Sequence, residues 1–393
     1  MDAWGGLERG GRARGRRTCE GPARALRYRR RARSADAGRG HGAPNAAGGR
    51  SGALGSYLFA PSHAPMPPSR SRPDSPWVLD CRGRALDCRP GRTHVMGVLN
   101  VTPDSFSDGG RYATVAAAVE RARAMADEGA AVIDVGGEST RPRGRTYGAG
   151  AAPVGLDEEI ARVVPVVEAL ARELPHALIS VDTYKGAVAR AALRAGAHLV
   201  NDVTGLRQGV GTARAAADYG APLVVMHALG APGAMPHAHT YTDAVGEVAA
   251  SLARSVRTAE EAGVRDVVVD AGFGFGKNVA DNLRLVAATD RLRAALGRPV
   301  LVGASRKSTV GAVLGTPEAP APVGARVHGS VGLAVLAALR GASLVRVHDV
   351  RETAEAVRLA LAAERAAGAF EGADDAANGG APAEAGPRPG CAA

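Results

Sequence analysis

Cysteine is scarce and poorly placed for cross-linking. Cys19, Cys81, Cys88 and Cys391 are the full set, with no CxxC pair and no histidine pair nearby. That excludes a disulfide framework and the usual zinc spacings. It points to a reducing compartment, so the expected location is the cytoplasm. No apolar run reaches 18 residues, which excludes a membrane-spanning helix. The first thirty residues are rich in Arg but lack an apolar segment, so they do not read as a secretory signal. Aromatic residues make up only 4%, against 46% hydrophobic overall, so the core must be Ala, Val and Leu. A net charge is missing from most of the chain. Residues 1–75 hold 15 Arg, no Lys and 5 acids, which accounts for the whole formal charge of +10. The other residues are balanced, with 34 basic and 34 acidic side chains. A basic surface argues for nucleic acid only where the folded body carries it. Here it does not, so nucleic acid is not an expected partner.

The same 75 residues lack apolar periodicity. Their Gly, Arg, Pro and Ser cannot bury enough surface to offset the entropy of ordering, so this tail is expected to be disordered. Met66 is an alternative start, which would leave the tail untranslated; an intact mass matching a start at Met1 would overturn that. Residues 369–393 return to Gly, Ala, Pro and acidic residues and carry the same expectation of disorder.

Between the tails, residues 76–368 alternate with little variation. WVLDCRGRALDCR, residues 77–89, reads as a hairpin around Arg82-Gly83-Arg84, placed to cover one end of a barrel. Apolar runs at 94–99, 131–135, 178–181, 197–200, 222–226, 266–269, 299–302 and 343–347 read as buried parallel strands. Helical patterns fall at 114–128, 156–173, 185–195, 212–219, 243–262, 279–295, 323–340 and 351–367, several closed by glycine. Eight strands alternating with eight helices is the count of an α/β (β/α)8 TIM barrel, here with an N-terminal β-hairpin. A doubly wound open sheet would show a Gly-rich phosphate loop after its first strand. That place holds NVTPDSF instead.

In such a barrel the chemistry sits at the carboxyl ends of the strands. Every strand here ends in polar residues. They are Asn100; Asp134 and then GGESTRPR, residues 136–143; Asp182; Asn201-Asp202; His227; Asp270; Ser305-Arg306-Lys307-Ser308; and Arg346 with His348-Asp349. One such residue is an ordinary cap or turn. Eight of eight point to a bound ligand, because buried polar groups need partners. Asp182, Asn201, Asp270 and Lys307 suit a flat heterocycle rich in ring N–H groups. Thr140, Arg141, Arg306, Arg346 and His348 form a cationic rim suited to phosphate. Asn100 and Asp104 are oxygen ligands suited to Mg²⁺. GFGFGK, residues 272–277, lacks the Ser or Thr of a Walker loop; a tight strand-to-helix turn with Phe275 near the ligand fits it better. His227, His237 and His239 lack metal-ligand spacing.

The motifs carry a family resemblance. MGVLNVTPDSFSDGG (96–110), IDVGGESTRP (133–142), SVDTYK, NDVTG, VMH, FGFGK, LVGASRKS and RVHDV resemble, in order, those of dihydropteroate synthase. That resemblance implies a homodimeric (β/α)8 barrel that joins 6-hydroxymethyl-7,8-dihydropterin diphosphate to 4-aminobenzoate with Mg²⁺, through a pterin cation. It implies that Asn100 contacts Mg²⁺, and that Asp182, Asn201, Asp270 and Lys307 hold the pterin. Thr140, Arg141, Arg346 and His348 would serve the diphosphate and neighbouring groups. Phe106, Pro142 and Ser308 would border the aminobenzoate. Asp182, Lys307, Arg346 and His348 are the expected catalytic set. Arg143, Ala271 and Ala228-Leu229 depart from the family pattern without removing a named ligand. A methyltetrahydrofolate-dependent methyltransferase would lack the TPDSF and STRP loops. A non-catalytic pterin-binding paralogue would have lost diphosphate residues, which are intact here.

Overall fold

The computed structural model describes residues 77–101, 115–138, 153–230 and 241–368. The two tails, with the expectations placed on them, lie outside these residues. So do Phe106, Thr140, Arg141 and Pro142.

A short antiparallel hairpin, β1 (Val78–Asp80) and β2 (Ala85–Asp87), precedes the barrel strand β3 (His94–Asn100). Seven more strands follow: β4 (Ala130–Gly136), β5 (Leu178–Asp182), β6 (Leu199–Asp202), β7 (Leu223–Met226), β8 (Val267–Asp270), β9 (Val300–Val302) and β10 (Leu344–Val347). They close in the order β10-β3-β4-β5-β6-β7-β8-β9, every pair parallel. The helices are α1 (Val115–Asp127), α2 (Leu156–Glu173), α3 (Gly186–Ala195), α4 (Gly211–Tyr219), α5 (Ala244–Glu261), α6 (Val279–Ala287), α7 (Thr289–Leu296), α8 (Ser308–Leu314), α9 (Val327–Leu339) and α10 (Val350–Ala366).

Two helices differ from the sequence reading. The pattern at 279–295 is broken into α6 and α7 at Ala288, where the buried Thr289 hydroxyl donates to the Val286 carbonyl at 2.8 Å. Such a local bond competes with the helical ladder. The seven-residue helix α8 is too short for its period to stand out from the strand-end loop before it.

Alternation along the strands builds the interior in layers. The lowest is Met96, Val132, Leu178, Leu199, Val224, Val268, Leu301 and Leu344, one residue per strand, packed with Leu79, Cys81, Leu86 and Cys88 of the hairpin. The hairpin therefore covers the amino-terminal end of the barrel. Its turn arginines anchor it there. Arg82 donates to the Leu193 and Ala197 carbonyls, and Arg84 to the Ala177 carbonyl at 2.8 Å. Two residues further along each strand the same inward positions hold Val98, Asp134, Ser180, Asn201, Met226, Asp270, Gly303 and Arg346. The interior thus changes from wholly apolar to largely polar within one pleat.

Outside the barrel the helices pack closely through small residues. A Cβ on Gly186 would stand 2.5 Å from the Gly211 carbonyl carbon, where α3 meets α4. Backbone cannot yield as a flexible side chain does. Gly186→Ala is expected to cost roughly 1–3 kcal/mol, read as a lower urea midpoint. An unchanged midpoint would show that this contact is loose.

Candidate active site

The polar layer is held by one guanidinium. Arg346, on β10, reaches across the barrel to Asp134 on β4 and Asp182 on β5. Its Nε donates to Asp134 Oδ2 and its Nη2 to Asp182 Oδ2, both at 2.6 Å. Asn201 Nδ2 donates to the same Asp134 oxygen at 3.0 Å. Asp134 Oδ1 and Ser180 Oγ, on register partners of neighbouring strands, are buried without a protein partner. Two carboxyl groups thus share one cation. Burial raises the Asp182 pKa to about 7, against the opposing pull of Arg346 and with added repulsion from Asp134. Burial by itself would lower the Arg346 pKa; Asp134 and Asp182 more than offset this and raise it.

Opposite stand Asp270 on β8 and Lys307, which precedes α8. Gly303 lies beside both: a Cβ there would be 3.9 Å from Lys307 Nζ and 4.0 Å from Asp270 Oδ2. Burial raises the Asp270 pKa, opposed by Lys307 and by the Gly272 N–H, which donates to Asp270 Oδ1 at 2.7 Å. Burial lowers the Lys307 pKa to about 8, with Asp270 opposing. Lys307 Nζ donates to the Phe273 carbonyl and lies 4.4 Å from the centre of the Phe275 ring. Phe275 packs with Val203, Met226 and Ala228 in a small buried apolar cluster. The mouth therefore has one apolar wall and a polar edge, which is what a flat, hydrogen-bonding heterocycle requires.

At the rim, the His348 backbone N–H donates to Ser305 Oγ at 3.2 Å, and Nδ1 lies 3.1 Å from the same oxygen. Ser308 opens α8 directly after Lys307. Arg306, expected on the cationic rim, is instead committed to a two-pronged ion pair with Asp349 at 2.6 and 3.0 Å. Asn100 ends β3, its Oδ1 3.4 Å from where a Cβ on Gly136 would stand, with Asp182 Oδ2 3.8 Å from that point.

A second buried network flanks these groups. Lys185 joins Glu138, after β4, to Glu159, in the first turn of α2, and donates to the Val154 carbonyl at 2.7 Å. Thr183 donates to Glu159 at 2.6 Å and Tyr184 to Glu138 at 3.0 Å. Lys185 thus ties together the two sides of segment 139–152, which contains Thr140, Arg141 and Pro142.

Residues 96–348 match the family model described as "Pterin binding enzyme". The chain is 44% identical over 283 residues to dihydropteroate synthase of Escherichia coli K12, covering 72% of this chain and 94% of that protein. The fold superposes on the Yersinia pestis dihydropteroate synthase in a sulfonamide drug complex, with a TM-score of 0.66 and 44% identity. That match covers 73% of this chain and 99% of the other. A Xanthomonas albilineans dihydropteroate synthase in complex with 7,8-dihydropteroate matches with a TM-score of 0.61 and 43% identity, over 75% and 99% of the two chains.

The chain belongs to the dihydropteroate synthase family.

As a member of this family it brings together Asp182, Asn201, Asp270, Lys307, Arg346 and His348 at one barrel mouth, with Phe275 as part of its wall. Sequence reasoning placed Asp134 among the strand-end polar residues without giving it a role, and it gave Lys185 none either. For Asp134 a signal existed, since it shares the inward parity of Val132 and Gly136 on β4. For Lys185 the strand-end position was visible, but its two carboxylate partners lie 47 and 26 residues away.

Proposed function

We propose that this chain condenses 6-hydroxymethyl-7,8-dihydropterin diphosphate with 4-aminobenzoate, giving 7,8-dihydropteroate and pyrophosphate in folate biosynthesis. The observation that carries this reading is the layer of Asp134, Asp182, Asn201, Asp270, Lys307 and Arg346 in a family whose solved members bind the dihydropteroate product. Asp270, Asn201 and Lys307 match the donors and acceptors on the edge of the pterin. The apolar wall of Val203, Met226 and Phe275 accepts its face.

The reaction breaks the bond from the pterin methylene to the diphosphate oxygen, and pyrophosphate leaves with the electron pair. Positive charge develops on the pterin, where Asp182 supplies a fixed negative charge. The neutral amine of 4-aminobenzoate forms the new C–N bond and then loses a proton. Arg346 and His348, with Thr140 and Arg141, serve the diphosphate. Phe106, Pro142 and Ser308 border the aminobenzoate and keep water from capturing the cation.

The donor set suits Mg²⁺. Asn100 would hold it through a neutral amide oxygen at the mouth, beside Asp182. A hard cation that keeps its waters and leans on substrate phosphates needs little more from the protein. When bound it neutralises charge on the departing pyrophosphate.

The deciding assay is pyrophosphate release with Mg²⁺. Release is expected only when both substrates are present. Absence of release with both would overturn the reading. Inhibition by sulfonamides is expected on the same ground.

A second copy of the chain is the expected cover for the face formed by α8 and α9. Helix α9 has no Asp, Glu, Lys or Arg over its 13 residues, so it lacks the charged face that a helix turns to water. Val313 and Leu314 are more than half exposed beside it, and Val323 nearly so. Leu314→Glu is expected to convert a dimer to a monomer in light scattering. A wild-type protein already monomeric would overturn the homodimer. A cytoplasmic location accords with reduced, buried Cys81 and Cys88. Among the described residues no helix is long and apolar enough to cross a membrane.

A further inference from the structure

Only three of the chain's 49 basic residues are lysine: Lys185, Lys277 and Lys307. All three stand just beyond the carboxyl ends of barrel strands. Lys185 and Lys277 each have three acceptors converging on Nζ, and Lys307 donates to the Phe273 carbonyl. A tetrahedral ammonium satisfies such a convergence, whereas a flat guanidinium fork does not. Lys185 neutralises two carboxylates and Lys307 faces the pterin edge. Lys277 does neither, although it is only 7% exposed.

Lys277 closes the turn between β8 and α6. Its ammonium donates to the carbonyls of Gly272 at 2.8 Å, Phe275 at 3.1 Å and His227 at 3.2 Å. The first two belong to the turn itself; the third belongs to the end of β7. Three protons thus meet three acceptors on two different strand ends. The GFGFG sequence explains how the turn gets so close. Gly272 has φ +68°, and a Cβ there would stand 1.8 Å from the His227 carbonyl oxygen. A Cβ on Gly274 would stand 3.0 Å from Lys307 Cδ. The turn is therefore wedged between the His227 backbone on one side and the stem of Lys307 on the other. A phosphate loop gathers backbone N–H groups around an anion; this turn gathers carbonyls around its own lysine. Asn282 completes the closure, accepting from the Gly274 N–H at 2.7 Å.

We propose that Lys277 is a positioning residue of the pterin pocket: by binding the turn to the end of β7 it sets where Phe275, Asp270 and Lys307 meet the heterocycle. This rests on the pterin-binding function proposed for the same mouth. The links are direct. Asp270 is bonded to the Gly272 N–H, Phe275 lies under Lys307 Nζ, and the Lys307 stem lies against Gly274. Keeping a charge there is costly. Burial pushes the Lys277 pKa down to about 7; Asp270 and Asp281 oppose that, and Lys307 and Arg207 add to it.

The test is steady-state kinetics and calorimetry on the full chain with Lys277→Met and Lys277→Gln. The expected result is a KM for the pterin diphosphate raised at least tenfold with kcat within about threefold, because Lys277 touches no reacting atom. Binding of 6-hydroxymethylpterin alone, titrated calorimetrically, is expected to weaken by the same factor. Lys277→Arg is not expected to restore it. Leu79→Ala, destabilised in the hairpin at the opposite, amino-terminal end of the barrel, is expected to keep the wild-type KM. Should Lys277→Met fail to fold, Lys277→Gln, with two donors and no charge, carries the test. A wild-type KM in a folded Lys277 variant overturns the inference. So does a rise in KM that Leu79→Ala reproduces. Wild-type protein that releases no pyrophosphate overturns the functional reading instead.

Discussion

Arg346→Met is expected to lower kcat/KM for pyrophosphate release by at least a thousandfold, about 4 kcal/mol of transition-state stabilisation. Chemistry and folding both contribute to this loss. Arg346 is the cation shared by the two carboxylates Asp134 and Asp182, both at 2.6 Å. Removing one partner of a buried ion pair leaves the other charge uncompensated, at a cost of roughly 3–5 kcal/mol. Proton uptake lessens that cost, so the variant answers to pH. Without the guanidinium, burial drives the Asp182 pKa further up. A carboxyl whose pKa is higher folded than unfolded favours the folded state most below its unfolded value, and this contribution is lost as pH rises through the folded one. Arg346→Met should therefore lose more stability at pH 8 than at pH 5.5 in urea titrations. Equal losses would mean that the pair does not carry the charge assigned to it. Arg346→Lys should recover little, since one ammonium does not reproduce two directed bonds to carboxylates on separate strands.

Asp182→Asn is expected to reduce kcat by about a hundredfold to a thousandfold, the usual effect of removing one preorganised electrostatic partner of a developing charge. It is also expected to make the protein more stable at pH 8. The carboxyl is buried, and its pKa stands at about 7 because of that burial, with Arg346 opposing and Asp134 adding to the shift. The contribution of Asp182 to stability is thus fully present below about pH 4 and is lost as pH climbs through about 7. An amide has no such loss, and its oxygen still accepts from Arg346. A gain on the order of 1–2 kcal/mol at pH 8, shrinking as pH falls and gone below about pH 4, is the expected pattern. In the wild type, kcat/KM for the pterin diphosphate should fall about tenfold per pH unit below about 7. The variant should lack that acid limb. An acid limb retained by Asp182→Asn would assign it to another group.

The strand ends were the most legible part of the chain. Residues 94–99 and 343–347 read as strands because a strand buried on both faces is a continuous apolar run, whatever lies around it. Asp182, Asn201, Asp270, Lys307, Arg346 and His348 were legible for the same reason: polar residues placed where an apolar run stops must face the mouth. The hairpin was legible from Arg82-Gly83-Arg84 between two short alternating runs. The break between α6 and α7 was not. It depends on the buried Thr289 hydroxyl finding the Val286 carbonyl, and the same side chain on an exposed face would have turned to water. Arg306 looked like a rim cation until Asp349, 43 residues on, took it.

The sequence by itself determined the eightfold alternation, the chemical character of the mouth and the family, because periodicity and motif order are properties of consecutive residues. Only the tertiary structure decided who pairs with whom. Arg346 meets Asp134 212 residues away because the barrel closes β10 beside β3 and points both side chains inward. Lys277 meets the His227 carbonyl because β7 and β8 run parallel in register and Gly272 lets the turn touch the neighbouring strand end. Such partners are chosen by strand register and by the cost of burying a charge alone. Both exist only once the chain has closed on itself.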